Sequence, residues 1–380
     1  MSVFDNYNRL EIEITSKCNA RCPPCSRTDY SAKAQTNPHL TVADLSYENF
    51  IKYVPQSAIK NKDLEFCGNF GDPCMHNDLY KILEYCNTAG AKFIILDTNG
   101  GAQSKDWWRK IAQTGVTVRW GVDGHRKTNS LYRVNTKFDK ILENMKAFAE
   151  AGGNGIWKYI MFDHNKDEIE IAKQEASNLG FRWLVNPNPP MLLRYKRNNE
   201  GELPTLWTSQ IKSKKEGKIV TKEVSTMTAM TPELSKTWPK KSTDWSGPQK
   251  SIKCELYHEK KLFMDFTGRL WPCCHFGDIA NKYSKNHKIW DNVEQQSFDK
   301  LQELDNKFGL NWNSILHKSW EEILNHDYYK KILPNTWQVN NNKFQSNYVV
   351  SKCYVKCGGR NWNQYIDETS KKIVELVEDK

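Results

Sequence analysis

Eleven cysteines stand in this 380-residue sequence, and two groups of them are spaced for chemistry. Cys18, Cys22 and Cys25 fall within ITSKCNARCPPCSRT, with three and then two residues between them. Three thiolates at that spacing can wrap one face of a cubane iron-sulfur cluster, whereas a closed tetrahedral zinc site needs a fourth ligand. A cluster with three protein ligands keeps one iron open, and an open iron can bind a substrate or cofactor directly. The same thiols could also hold a structural zinc or iron without chemistry. The second group is Cys254, the adjacent pair Cys273 and Cys274, then Cys353 and Cys357. Its part FMDFTGRLWPCC has the pattern of a hairpin: an apolar strand, a turn at Thr267-Gly268, and a return strand ending in two thiols. Four converging thiolates would suit an iron-sulfur cluster or a zinc knuckle equally on coordination grounds. Cys67 and Cys86 have no cluster spacing and are expected as core thiols; Cys74 lies beside the segment Gly71 to Pro73 and stays open.

The elements that must position these residues follow an alternating pattern. Short β-branched stretches at Leu10 to Thr15, Asp63 to Cys67, Lys92 to Thr98, Val116 to Val122, Ile156 to Phe162 and Phe181 to Val185 predict strands. Amphipathic stretches at about 43–56, 77–90, 104–113, 136–151 and 167–179 predict the helices between them, several closed by Gly90, Gly115, Gly152 or Gly180. Six strands with five crossovers imply a parallel sheet, whose ligand site lies at the carboxyl ends of its strands. Residues 191–250 are rich in Pro, Thr, Ser and Lys and are expected as a connector or lid. A cysteine-bearing segment follows, with a helix expected over 314–329, and the terminal stretch 361–380 is expected as a last helix.

The motif CxxxCxxC in the loop after the first strand resembles the radical S-adenosylmethionine (SAM) superfamily. Further landmarks fall in order at the ends of later strands. Asn69-Phe70-Gly71-Asp72-Pro73 is similar to that family's GGEP motif, Thr98-Asn99-Gly100 to its TNG turn, and Gly121-Val122-Asp123-Gly124 to its SxDG; Tyr132-Arg133 stands where relatives often carry an Arg. The resemblance covers about residues 9–190. It implies an α/β fold, a partial (βα)6 barrel over 1–190, with Cys18, Cys22 and Cys25 on a 4Fe-4S cluster. It also implies SAM held by Phe70, Gly71, Asp72, Pro73, Thr98, Asn99, Gly121, Asp123 and Arg133. The chemistry is consistent: glycines admit close backbone approach, a carboxylate such as Asp72 pairs with an ammonium, and Arg133 can grip a carboxylate in bidentate fashion. Pro24 replaces the usual aromatic, Asp72 replaces Glu and shortens the reach, and Gly121 replaces Ser and removes a hydroxyl. Asp123 before Gly124 also reads as a turn carboxylate, and Arg133 as a surface ion-pair partner.

Residues 251–360 resemble the α+β extension called SPASM or, in its shorter form, twitch, within a unit expected over 251–380. That resemblance implies one auxiliary 4Fe-4S cluster on Cys254, Cys273, Cys353 and Cys357, with Cys274 as spare or substitute. Together the two resemblances imply an enzyme that reductively cleaves SAM to a 5'-deoxyadenosyl radical and abstracts a substrate hydrogen. Its substrate would be a peptide or protein side chain, undergoing oxidation, crosslinking or epimerisation. The alternatives are radical oxidation or rearrangement of a small metabolite, and a non-catalytic iron-sulfur protein. Cys74 and Cys274 are the thiols to test as catalytic hydrogen donors, and a reductant such as flavodoxin or ferredoxin is the expected partner.

Composition sets the frame. Aromatics at 12% exclude a disordered chain, and no apolar run reaches the ~18 residues of a membrane span. The N-terminus has no basic region followed by an apolar one, so a cytoplasmic location is expected, where an odd cysteine count points to metal rather than disulfides. The net charge of +10 is spread thinly; its one dense run, KSKKEGK at 212–218, is expected as a solvated loop. With no recognisable RNA-binding motif and no concentrated basic face, a nucleic-acid partner is not expected.

Overall fold

A computed structural model describes residues 7–22, 25–29, 35–162, 164–186, 206–212, 219–225, 252, 254, 259–284, 292–340, 343–344, 350, 353, 364–367 and 372–375. In chain order its strands are β1 (Arg9–Ile12), β2 (Thr28–Asp29), β3 (Gln35–Thr36), β4 (Asp63–Phe66), β5 (Phe93–Thr98), β6 (Thr117–Gly121), β7 (Asn154–Ile160) and β8 (Arg182–Asn186). They continue as β9 (Leu206–Lys212), β10 (Ile219–Ser225), β11 (Lys261–Met264), β12 (Leu270–Trp271), β13 (Val339–Asn340), β14 (Lys343–Phe344), β15 (Gln364–Asp367) and β16 (Lys372–Glu375). The chain divides into two compact units. One comprises Met1–Lys17, His39–Ile94 and Lys240–Trp362; the other comprises Cys18–Pro38, Ile95–Pro239 and Asn363–Lys380.

In the first unit the strand order is β12-β11-β1-β4, with β1 parallel to both β4 and β11. Leu10, Ile12 and Ile14 are fully buried on one face of the β1 segment. The alternate residues are Arg9, Glu11 and Glu13, which face the other way because side chains alternate across a strand. Parallel strands covered on both faces normally read as continuous apolar runs, so this polar face marks a special environment. Strand β11 turns through Gly268, at φ 77°, into antiparallel β12, as the hairpin pattern predicts. Asp265 ties that turn: one carboxylate oxygen accepts from the Thr267 and Arg269 N–H groups and the Thr267 hydroxyl. Its other oxygen accepts from Trp271 Nε1 at 2.7 Å and Asn281 Nδ2 at 2.8 Å.

The second unit has parallel neighbours β5-β6-β7-β8, then β15 antiparallel to β8 and β16 antiparallel to β15. Trp108, Trp120, Trp157, Phe148 and Phe181 form its buried aromatic core, with Trp108 and Trp120 centroids 4.4 Å apart. The helices Lys105–Ala112 and Phe138–Glu150 bury Trp108, Ile111, Ile141, Met145 and Phe148, the apolar stripe expected of helices lying on a sheet.

Several expectations are refined. Pro55 divides the stretch 43–56 into the helices Tyr47–Tyr53 and Gln56–Ile59, since it cannot donate within a helix. The stretch 314–329 is a turn followed by the helix Trp320–Leu324, opened by a Ser319/Glu322 capping box, and then a π-turn at Tyr328–Ile332. Within 191–250, β9 and β10 form an antiparallel hairpin in register from Leu206↔Ser225 to Lys212↔Ile219. The expected terminal helix over 361–380 is corrected: the described residues there are the strands β15 and β16, in which Ile366, Ile373 and Val374 are β-branched. Among the described residues no helix is long and apolar enough to cross a membrane.

Candidate active site

The loop after β1 is anchored within the second unit. Arg21 N–H bonds the Val134 carbonyl at 2.9 Å, and Asn135 Nδ2 bonds the Asn19 carbonyl at 2.6 Å. Asn19 and Asn99 exchange side-chain amide bonds at 3.1 and 2.8 Å. Asn99 Nδ2 also approaches Cys18 Sγ at 3.8 Å, and Asn99 Oδ1 accepts from the Gly101 N–H. Thr98 Oγ1 accepts from the Gly100 N–H at 3.0 Å. Gly100 sits at φ 71° with a Cβ position only 2.8 Å from the Trp120 ring, so the turn needs glycine.

Each thiol of this loop receives a donor. Ala20 N–H points at Cys18 Sγ and Arg27 N–H at Cys25 Sγ, both at 3.4 Å, while Arg133 Nη1 reaches Cys22 Sγ at 3.6 Å. Ala20, Cys22, Tyr132 and Phe162 form a small buried cluster, with Cys18 and Cys25 packed against it. Burial raises both the Cys22 and Cys25 thiols; Cys25 is pushed up to about 11, the neighbouring Cys22 adding to the effect. Bare thiols here are neutral, so metal binding must displace their protons.

Asp123 is fully buried at the end of β6. Its Oδ2 accepts from Arg133 Nε at 2.6 Å and its Oδ1 from the Ile160 N–H at 2.6 Å. Burial raises the Asp123 carboxyl, against the pull of Arg133 and the Ile160 amide. Desolvation alone would lower Arg133, but Asp123 and Cys22 hold the guanidinium well above its ordinary value and therefore charged. Its Cζ also lies 5.1 Å from the Tyr132 ring centre. Arg133 is thus half-buried and committed to Asp123, Cys22 and Tyr132, not a surface ion-pair partner. Gly121 explains itself here: a Cβ would stand 2.7 Å from Arg133 Nη2, so the missing hydroxyl makes room for the guanidinium.

The segment 68–74 is built within the first unit. Phe70 packs edge-on to Phe266 at 6.2 Å. The Phe70 and Gly71 N–H groups both point at Glu13 Oε1, at 2.7 and 3.2 Å, and the Asp72 N–H bonds the Lys17 carbonyl at 2.8 Å. A Cβ on Gly71 would stand 1.9 Å from the Thr15 carbonyl oxygen, so only glycine fits against the β1 extension. Asp72 is buried and caps the turn Pro73–Met75, its Oδ1 accepting from the Cys74 N–H. Cys74 is wholly buried in that turn, which puts its thiol out of solvent.

Of the second cysteine group, the structure brings Cys254, Cys273 and Cys353 into one electrostatic environment. Burial raises Cys273 and Cys353 strongly, and the nearby thiols raise them further: Cys274, Cys353 and Cys254 for Cys273, and Cys254 for Cys353. Cys274 heads the helix Cys274–Lys282. Burial raises its thiol too, with Glu11 and Asp278 next in effect. Its carbonyl accepts from Asn69 Nδ2 at 2.9 Å. Cys357 lies outside the described residues, as does Pro24. Among the described residues no three His, Cys, Asp or Glu side chains form a group that could hold a single metal ion.

The sequence patterns did not single out Glu13, Asn19 as the partner of Asn99, or the charged set on β5 to β7. There Asp97 pairs with Arg119 and with Lys158, the latter at 3.3 Å. Burial alone would raise Asp97, yet the two cations hold it below the ordinary range. The one available signal was ionisable residues at alternating positions of strands otherwise apolar.

Residues 12–176 match the Radical SAM superfamily. They form a radical SAM domain. GTP 3',8-cyclase of Haemophilus influenzae strain PittEE is 25% identical over 153 residues, 40% of this chain and 43% of that protein; the enzyme of strain Rd is 24% identical over the same share. The chain therefore spans less than half the length of these curated relatives. The solved structure of anSMEcpe with bound AdoMet shares 13% identity at a TM-score of 0.50, over 97% of this chain and 93% of that one, a likeness of fold. SuiB of Streptococcus suis bound to SAM gives 13% identity and a TM-score of 0.48, over 94% of this chain and 73% of that one.

A radical SAM domain implies a 4Fe-4S cluster and SAM, and the donor set fits the cluster. Three soft thiols carry N–H donors on each sulfur, and a guanidinium stands on one of them. Such partners orient ligands and compensate the negative charge of a thiolate-bound cluster.

Proposed function

We propose that this chain is a radical SAM enzyme that acts on a peptide or protein side chain. The observation that carries the SAM chemistry is the thiol loop of the radical SAM domain, with donors on Cys18, Cys22 and Cys25. A reduced 4Fe-4S cluster held by those thiols would supply the one electron that cleaves SAM to methionine and a 5'-deoxyadenosyl radical, and that radical would take a hydrogen from the substrate. The chain's own residues bind and orient. Within the first unit, the carbonyls of the segment 68–73 and buried Asp72 would take the amino group of SAM; within the second, Asn99 approaches Cys18 and Asp123 holds Arg133, whose Nη1 reaches Cys22. Gly121 leaves the space that Arg133 fills.

Within the second unit, the Asp97, Arg119 and Lys158 set supports the partial-barrel reading, since charged residues on parallel strands suit the lining of a reaction chamber rather than a packed core. The shared environment of Cys254, Cys273 and Cys353 supports one auxiliary 4Fe-4S cluster, with Cys357 as fourth ligand. Cys274, which adds to the same environment around Cys273, is then the spare or substitute ligand and a thiol to test as hydrogen donor. A SPASM or twitch extension over 251–360 and a flavodoxin or ferredoxin reductant belong to the same reading. The second reading, a small-molecule substrate, is favoured by the relation to GTP 3',8-cyclase.

Anaerobic reconstitution with iron and sulfide, followed by reduction and SAM, tests the proposal. Methionine and 5'-deoxyadenosine are expected in equal amounts. Changing Cys18, Cys22 and Cys25 together to Ala is expected to abolish both products while leaving about four irons in the C-terminal site. Retained cleavage in that variant refutes the ligand assignment.

A further inference from the structure

Glu13 belongs to none of the cysteine or glycine motifs, yet it is fully buried one residue beyond β1. Its backbone is fixed by a bond from its N–H to the Met264 carbonyl at 2.9 Å. Its Oε1 accepts from two successive backbone amides, Phe70 at 2.7 Å and Gly71 at 3.2 Å. Oε2 has no hydrogen-bond partner among the described residues. In a trans peptide the carbonyl points opposite to the N–H, and none of the described peptides is cis. Two N–H groups turned toward Glu13 therefore turn the Asn69 and Phe70 carbonyls to the opposite side, as a pair of acceptors suited to an ammonium group.

We propose that Glu13 is the positioning residue of the segment 68–73, holding the Asn69 and Phe70 peptide planes so that their carbonyls receive the amino group of SAM. This rests on the SAM reading above. Glu13 does so as a neutral acid: burial raises its carboxyl to about 8, against the pull of the two amides, and the acidic Asp265 and Asp278 raise it further. A neutral acceptor has a direct mimic in glutamine, which keeps one oxygen in place with no charge to desolvate.

The test compares Glu13→Gln, Glu13→Leu and Glu13→Asp in the full chain. Two readouts are used: SAM binding by equilibrium dialysis on the reconstituted protein, and hydrogen exchange of the Phe70 and Gly71 amides without cluster or SAM. Glu13→Gln is expected to bind SAM within about threefold of the unaltered protein and to keep both amides protected. Glu13→Leu is expected to weaken binding about tenfold or more, the effect of unmaking buried hydrogen bonds, and to speed exchange at both amides with iron content unchanged. Should Glu13→Leu not fold, Glu13→Asp, one methylene short of Oε1, carries the same expectation. Unchanged amide protection in Leu or Asp overturns the proposal, as does a Gln variant as impaired as Leu. An unaltered protein that binds no SAM defeats the SAM reading instead, and the role assigned to Glu13 toward SAM falls with it, whatever the exchange data show.

Discussion

The same buried carboxyl gives a pH signature that can be worked out in advance. In the unfolded chain Glu13 titrates near 4.5, and in the fold it is raised to about 8. Between those values the folded state holds a proton that the unfolded state has released, so folding is favoured by protonation. Its contribution is fully present below the unfolded value and is lost as pH rises through the folded one. At about 1.4 kcal/mol per pH unit, the loss between pH 5 and pH 7.5 is about 3 kcal/mol. Full burial means that little solvent screening reduces it. Glu13→Gln removes this titration and nothing else at Oε1. The difference in unfolding free energy between variant and unaltered protein should therefore be near zero at pH 5 and should grow to about 3 kcal/mol in favour of Gln by pH 7.5. Denaturant midpoints at matched slopes, taken at several pH values, measure it, because taking the difference cancels every group the two proteins share. A difference that is flat with pH refutes the neutral-acid state of Glu13. One that grows toward low pH reverses the sign of its coupling to folding.

Two glycines and one aspartate make further tests. Gly121→Ala meets only the end of the Arg133 side chain, so the expected cost is below about 2 kcal/mol. Arg133 must leave Cys22, however, and the reduction potential of the reconstituted cluster should shift; an unchanged potential contradicts the role of the guanidinium. Gly71→Ala meets the Thr15 carbonyl itself, a backbone atom that cannot swing away. It should cost more than about 3 kcal/mol, or yield insoluble protein, and a soluble variant of ordinary stability contradicts the packing described. Asp265→Ala strands the donors of Trp271, Asn281 and the hairpin turn. A loss of about 3 to 5 kcal/mol in thermal or denaturant unfolding is expected, and a loss below 1 kcal/mol would show the network to be incidental.

What the sequence disclosed depended on whether a local rule was in force. All six expected strands of the first 190 residues are present within two or three residues of their observed bounds, because apolar β-branched runs closed by glycine leave little competition. Gly90, Gly115, Gly152 and Gly180 all adopt positive φ, as helix-closing glycines should. The terminal stretch failed because KKIVELVEDK satisfies a helical period about as well as a strand, and the choice was made by pairing: Lys372–Glu375 lies against Gln364–Asp367, which in turn sets Ile366 opposite Val185 and Asp367 opposite Leu184. No local pattern encodes a partner about 180 residues away.

The site shows the same division between local rule and distant contact. Motif spacing picked out Cys18, Cys22, Cys25, Gly71, Asp72, Asn99, Asp123 and Arg133 as candidates, but the reason for the departure at Gly121 lies in its contact with Arg133. Taken singly, Gly121 reads as a lost hydroxyl and Arg133 as an ion-pair residue. Together they form one device, in which the guanidinium fills the volume a Cβ would claim and points Nη1 at Cys22. Glu13 has the same character, since its effect is exerted on amides 57 and 58 residues away. A buried acid at an alternating position of an apolar strand costs several kcal/mol to keep charged. The fold avoids that cost by keeping it neutral, and uses its oxygen to set the direction of two peptide planes.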